Sequence, residues 1–190
     1  MQLGGTKMLA VALTVTGGIA ISSGVMWQAS SAAFTANTGN GANSWNAGTV
    51  ALSDDDSNAV MFSPTNLRPG STGDKCITVS YSGTLSSTVK MYGTAVSGGL
   101  APYIDMVVEE GSGGGFGSCT GFTPTGTAYT GTLSNFGTTK NNFANGVGTF
   151  APSGAGQSKT YKITYTVNAG TPDAQQGGSA NASFTWEANS

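Results

Sequence analysis

Lys159-Thr160-Tyr161-Lys162-Ile163-Thr164-Tyr165-Thr166-Val167-Asn168 alternates without a break. Tyr161, Ile163, Tyr165 and Val167 fall on one side, and Thr160, Lys162, Thr164 and Thr166 on the other. Side chains of an extended chain point to opposite faces in turn. A two-residue period carried by aromatic and β-branched residues is therefore a strand buried on one face. Ser179 to Glu187 repeats the pattern, with Ala180, Ala182, Phe184 and Trp186 opposite Asn181, Ser183, Thr185 and Glu187. Lys75 to Ser82 groups Ile77, Val79 and Tyr81, and Tyr103 to Glu109 groups Ile104, Met106 and Val108. Ser86 to Tyr92 and Ser44 to Leu52 are weaker strands. Turn signals stand between them at Arg68-Pro69-Gly70, Ser97-Gly98-Gly99 and Asp173 to Gly178. Gly111 to Gly117 is too rich in glycine for an element interior and reads as a flexible loop. A short helix is expected only within Thr132 to Asn145, with Leu133, Phe136 and Phe143 as its apolar side. Many short strands, each buried on one side, predict an all-β antiparallel β-sandwich with at most one or two short helices. No internal repeat suggests a solenoid or propeller.

Composition narrows the function. The chain has 190 residues, enough for one domain with appendages. Glycine, serine and threonine number 30, 22 and 26, while only 8% of residues are charged, against about 25% in ordinary soluble proteins. Hydroxyls, amides and glycine must therefore cover the surface. The apolar fraction of 38% still suffices for a core. A net charge of −2 without a basic stripe argues against nucleic acid as a partner. The chain contains no histidine. That excludes Ser-His-Asp and Cys-His catalysis and any His-ligated metal.

The N-terminus reads as an export signal. Lys7 is the only charge in the first 53 residues, and an uncharged, apolar-leaning run follows from Met8 to Met26. Small residues then lead to Ser30-Ser31-Ala32-Ala33-Phe34. A short positive region, an apolar core and a small-x-small site make a secretory signal peptide. Ser30 and Ala32 suit the −3 and −1 places, so cleavage is expected after Ala32. The rival is an uncleaved membrane anchor, which the many Gly, Ser and Thr residues disfavour. The expected organisation is a signal peptide over 1–32, an N-terminal arm over 33–43 and a β-sandwich domain over 44–190. Secretion to the cell surface or extracellular matrix follows. In an exported chain the pair Cys76 and Cys119 suggests one disulfide, the rival being two separate buried thiols, and no third cysteine exists to complete a zinc or redox site.

Three stretches together resemble the TasA/camelysin family. They are Ala33-Phe34, Ser44-Trp45-Asn46-Ala47-Gly48-Thr49-Val50-Ala51-Leu52, and Phe62-Ser63-Pro64-Thr65-Asn66-Leu67-Arg68-Pro69-Gly70. Cys76-Ile77-Thr78-Val79-Ser80-Tyr81-Ser82-Gly83-Thr84-Leu85 is similar to the strand that follows the Pro-Gly turn in that family, and Ala182 to Ala188 to its final strand. The resemblance implies a jelly-roll-like sandwich exported through a dedicated signal peptidase. It also implies a structural role in biofilm matrix, with fibres built by donor-strand exchange. The donor strand would be Ala33, Phe34, Thr35, Ala36, Asn37 and Thr38, continuing to Asn43. Phe34 is its anchor. Strand addition draws affinity from main-chain hydrogen bonds and specificity from alternate side chains. A head-to-tail contact of this kind does not close, so it makes filaments. The partners would be further copies of the chain and other matrix or cell-surface components. This chain is shorter and less charged than the prominent fibre formers, so a main-fibre role and an accessory role both stay open.

Few residues could carry other chemistry. Asp54-Asp55-Asp56 is the only acidic run. Its carboxylates could ligate calcium, but consecutive residues seldom converge on one ion, and a solvated loop is the favoured reading. No other cofactor is expected. Glu109-Glu110 reads as an exposed strand end, since strand neighbours point to opposite faces. Tyr92, Tyr103, Tyr129 and Phe116 could form a stacking platform in a secreted adhesin or glycan-binding module, the alternative to a structural protein. The camelysin resemblance also implies a metallo-endopeptidase, which a chain without histidine does not support. The expectation is a protein that is not an enzyme.

Overall fold

The computed structural model describes residues 47–190. The 1–32 leader, the 33–43 arm with its donor residues, and Ser44 to Asn46 lie outside the described residues. Seven strands follow in order: β1 (Leu52–Asp54), β2 (Thr72–Tyr81), β3 (Thr88–Ser97), β4 (Ile104–Ser112), β5 (Thr123–Thr132), β6 (Gln157–Val167) and β7 (Asn181–Asn189). One helix, α1 (Leu133–Thr139), and three single 3-10 turns complete the elements. The strands form an antiparallel five-stranded sheet in the order β1-β2-β6-β4-β5, and a two-stranded sheet of β3 and β7. The domain is an all-β sandwich.

The alternating stretch at Lys159 occupies β6, between β2 and β4. That central place explains its clean period. Tyr161, Ile163 and Val167 enter the core beside Ile77 and Val79 of β2 and Ile104, Met106 and Val108 of β4. Val89 and Met91 of β3 are also fully buried, and half-buried Ala182, Phe184 and Trp186 of β7 pack on the same core. Burying each large apolar side chain contributes about 1.5–3 kcal/mol.

The expected helix forms over its first half. Thr132 caps it, its hydroxyl accepting from the Asn135 N–H at 3.1 Å. Leu133 and Phe136 face inward, and the Phe136 ring meets Tyr129 and Phe184 edge-on at 4.8 and 6.0 Å. Gly93 makes room for this crossing, since a Cβ there would lie 2.8 Å from the Phe136 ring. The Arg68-Pro69-Gly70 turn forms as expected, with Gly70 at φ +82° and Ser71 N–H donating to Arg68 O at 2.8 Å.

Two strands differ from the sequence reading. The strand expected to end at Leu52 instead begins there and lasts three residues. β5 was not anticipated at all: Thr-Pro-Thr-Gly-Thr-Ala-Tyr-Thr-Gly-Thr offers one large apolar side chain in ten, Tyr129. It pairs with β4 through two register shifts, at Val108/Glu109 and Glu110/Gly111. Pairing with a well-patterned neighbour supplies what its own composition lacks.

The sandwich has two ends. β2, β6 and β7 all run between them. At one end Thr72 pairs with Thr166, and Asn181 opens β7. At the other Tyr81 pairs with Gln157, and Thr88 pairs with Asn189. The first described residues belong to this second end, where Thr49 O accepts from Thr84 N–H and Leu85 N–H at 2.8 and 3.2 Å.

Candidate functional site

The backbone hydrogen bonds of the smaller sheet are unevenly satisfied. β3 is covered on both sides. Beyond β7, its other edge exchanges bonds with an irregular return segment: Gly93 N–H to Lys140 O, Met91 and Val147 with each other, and Val89 N–H to Phe150 O, at 2.7–2.8 Å. β7 pairs with β3 alone; its second edge has no backbone partner among the described residues.

Beside that edge lies a groove of about 1090 Å³. One wall is the inner face of the large sheet, with Ile104 and Met106 of β4 and Ile163, Tyr165 and Val167 of β6. Ala180, Ala182 and Phe184 form the opposite wall. Residues 60–69 run along it where a paired strand would otherwise cover the sheet. Phe62 meets Tyr165 edge-on, with ring centroids 5.5 Å apart. Met61, Phe62 and Leu67 are half-buried against the core, and Val60 is 78% exposed. From Val60 to Leu67 no backbone group donates or accepts a hydrogen bond among the described residues.

Both ends of this segment are fastened. Upstream, the Asp55 carboxylate accepts from Thr78 N–H and Phe116 N–H, each at 2.8 Å. Ser57 and Asn58 follow at φ +52° and +64°, and Asn58 N–H donates to the Asp56 carboxylate at 2.6 Å. Downstream, Asn66 sits at φ +55° and Gly70 N–H donates to Val167 O at 2.8 Å.

The acidic run therefore works as a structural clamp at Asp55. Asp54 is pushed above the usual carboxylate range, by burial first and then by its hydrogen bond to Asp56. No three His, Cys, Asp or Glu side chains come together as metal ligands among the described residues, so Asp54, Asp55 and Asp56 gain no geometric support as a calcium site.

Cys76 and Cys119 form the expected disulfide, with Cα atoms 5.1 Å apart. The bond lies on the outer face of the large sheet, opposite Ile77 and Val79. It pins the glycine-rich loop there, and Gly117 N–H donates to Cys76 O at 3.2 Å. Lys75 Nζ donates to Gly117 O at 3.3 Å. The loop is thus anchored rather than loose. A disulfide is typical of proteins outside the cytoplasm, and no helix among the described residues is long and apolar enough to cross a membrane.

No protein-family model matches the chain, and no curated protein matches it.

The remaining candidates scatter. Glu109 points outward, 4.0 Å from Lys162 Nζ. Glu110 is buried rather than exposed, at 3%. Its carboxylate accepts from Thr149 N–H at 2.8 Å and from the Thr149 hydroxyl at 2.6 Å. Burial and then the nearby Glu110 charge hold the Tyr161 phenol far above its ordinary range. The two carboxylates face opposite sides of β4, so they do not form an acid-base pair. Of the four aromatics, Tyr129 is in the core and Tyr103 lies in the 3-10 turn before β4. Tyr92 donates to Glu187 on the outer face of the small sheet, and Phe116 belongs to the disulfide loop. They do not share one platform.

Sequence reasoning missed the unpaired edge, the segment at Val60 to Leu67 and the burial of Glu110. Met61-Phe62 was visible as an apolar pair, but nothing in its spacing marked a strand.

Proposed function

We propose that this protein is a secreted structural subunit of an extracellular matrix, akin to the TasA/camelysin family, that polymerises head to tail by strand addition and catalyses no reaction. The observation that carries the reading is the edge of β7, unpaired among the described residues, beside a groove walled by Ile163, Tyr165 and Phe184. An edge with spare N–H and C=O groups is a template for another strand. The Ala33 to Thr38 donor supplies a strand-length segment with one aromatic anchor, Phe34.

Geometry supports a partner in trans. The groove is at the end of the sandwich where β7 begins, while Thr49, among the first described residues, is bonded at the opposite end. A donor from one subunit and a groove on the next then repeat along one axis, and such a contact builds an open filament.

The test is negative-stain electron microscopy of protein beginning at Ala33 beside protein beginning at Ser44. Filaments from the first and none from the second are expected. Monodisperse particles from both would overturn self-assembly and favour a monomeric binding module.

A further inference from the structure

We infer that residues Val60 to Leu67 are a removable placeholder in the groove, displaced when the arm of a second copy enters, and that Phe34 of that arm takes the seat of Phe62 on Tyr165. The inference rests on the strand-addition reading above and concerns how the acceptor is kept closed.

The segment occupies the groove without being built into either sheet. Its side chains fill space: Phe62 lies edge-on to Tyr165 at 5.5 Å, and Met61 and Leu67 pack on the core. Its backbone is bonded to nothing among the described residues from Val60 to Leu67. Among the described contacts leaving costs side-chain packing, whereas a strand laid along β7 adds main-chain bonds. The swap exchanges the packing of Met61, Phe62 and Leu67 for main-chain hydrogen bonds and the Phe34 ring.

The ends are suited to a swing. Ser57 and Asn58 hold positive φ before the segment, and Asn66 does so near its end, a conformation that costs each of these residues steric strain. Outside them the Asp55 clamp and the Gly70 to Val167 bond keep the anchors in place. Pro64 interrupts the segment and keeps it from pairing with β7 as a strand of its own. The occupant is a second copy, because the described chain begins near Thr49, at the end away from the groove.

A covered groove lowers apparent affinity by the fraction of time it is open. Loosening the cover should therefore speed assembly. The experiment compares full mature chains from Ala33 carrying Phe62→Ala, Phe62→Leu or Phe34→Ala with the unaltered chain. It follows light scattering for rate, sedimentation for size and thermal melting for folding. Phe62→Ala should raise the assembly rate roughly tenfold, Phe62→Leu by less, and Phe34→Ala should abolish assembly. In the polymer, chymotrypsin should cut after Phe62 in the unaltered chain, and the monomer should resist. If the unaltered chain makes no polymer, the strand-addition reading fails. If it polymerises but Phe62→Ala and Phe62→Leu fold and assemble at its rate or slower, the placeholder idea alone is overturned. Cleavage after Phe62 in a particle that sediments as a monomer would show the arm entering its own groove, and would overturn the second copy as occupant.

Discussion

β5 and β7 both end a sheet, and they end it differently. β5 carries Pro124, Gly126 and Gly131, and its register breaks twice against β4. Proline removes a donor, and bulges twist an edge away from a flat template. β7 has neither proline nor glycine across Asn181–Asn189, and its inward side presents Ala182, Phe184, Trp186 and Ala188. One edge is guarded by its own sequence. The other carries no such guard, has no partner among the described residues and stands beside the groove. Natural sheets rarely leave a long patterned edge bare. The contrast makes β7, rather than β5, the acceptor edge of the proposed strand addition.

Three changes can break or sharpen that contrast. The largest effect on stability should come from Cys76→Ser with Cys119→Ser. Their sequence separation is 43, and removing such a bond costs about 3–4 kcal/mol. Urea denaturation should show the loss. Because the disulfide fastens the outer face and not the groove, folded protein at low temperature should still assemble. Loss of assembly in protein shown to be folded would mean that the two sides are coupled. Next, Ala182→Lys places an inward charge on the β7 edge. Filaments should disappear while the melting temperature moves by only a few degrees, since Ala182 is only half-buried in the groove wall. Persistent filaments would locate the contact elsewhere. The smallest effect should come from Pro124→Val with Gly126→Thr, which removes the guards on β5. Light scattering at high concentration should then report new lateral association. No change would mean that the two bulges guard that edge by themselves.

Legibility in the sequence followed burial. β2, β4, β6 and β7 showed in the amino-acid pattern because each has one buried face, which forces alternation. β5 stayed hidden because only Tyr129 and its neighbours touch the core, and the threonines, Pro124, Gly126 and Gly131 read as loop. The Gly111 to Gly117 segment read as loose because glycine density reports local freedom. Its anchors, Cys76 and Asp55, lie far away in the chain. Glu110 read as exposed because its partner, Thr149, is 39 residues distant.

By itself the sequence determined the antiparallel sandwich, the Pro-Gly turn and the absence of histidine chemistry, and it suggested the disulfide that the structure shows. These follow from local period, local turn geometry and composition. Only the tertiary structure decided which edge stays unpaired, what fills the groove beside it, and that Asp55 clamps two backbones. Each of these depends on residues brought together across the chain, and hydrogen bonds between distant backbone groups leave no mark on the pattern of either partner.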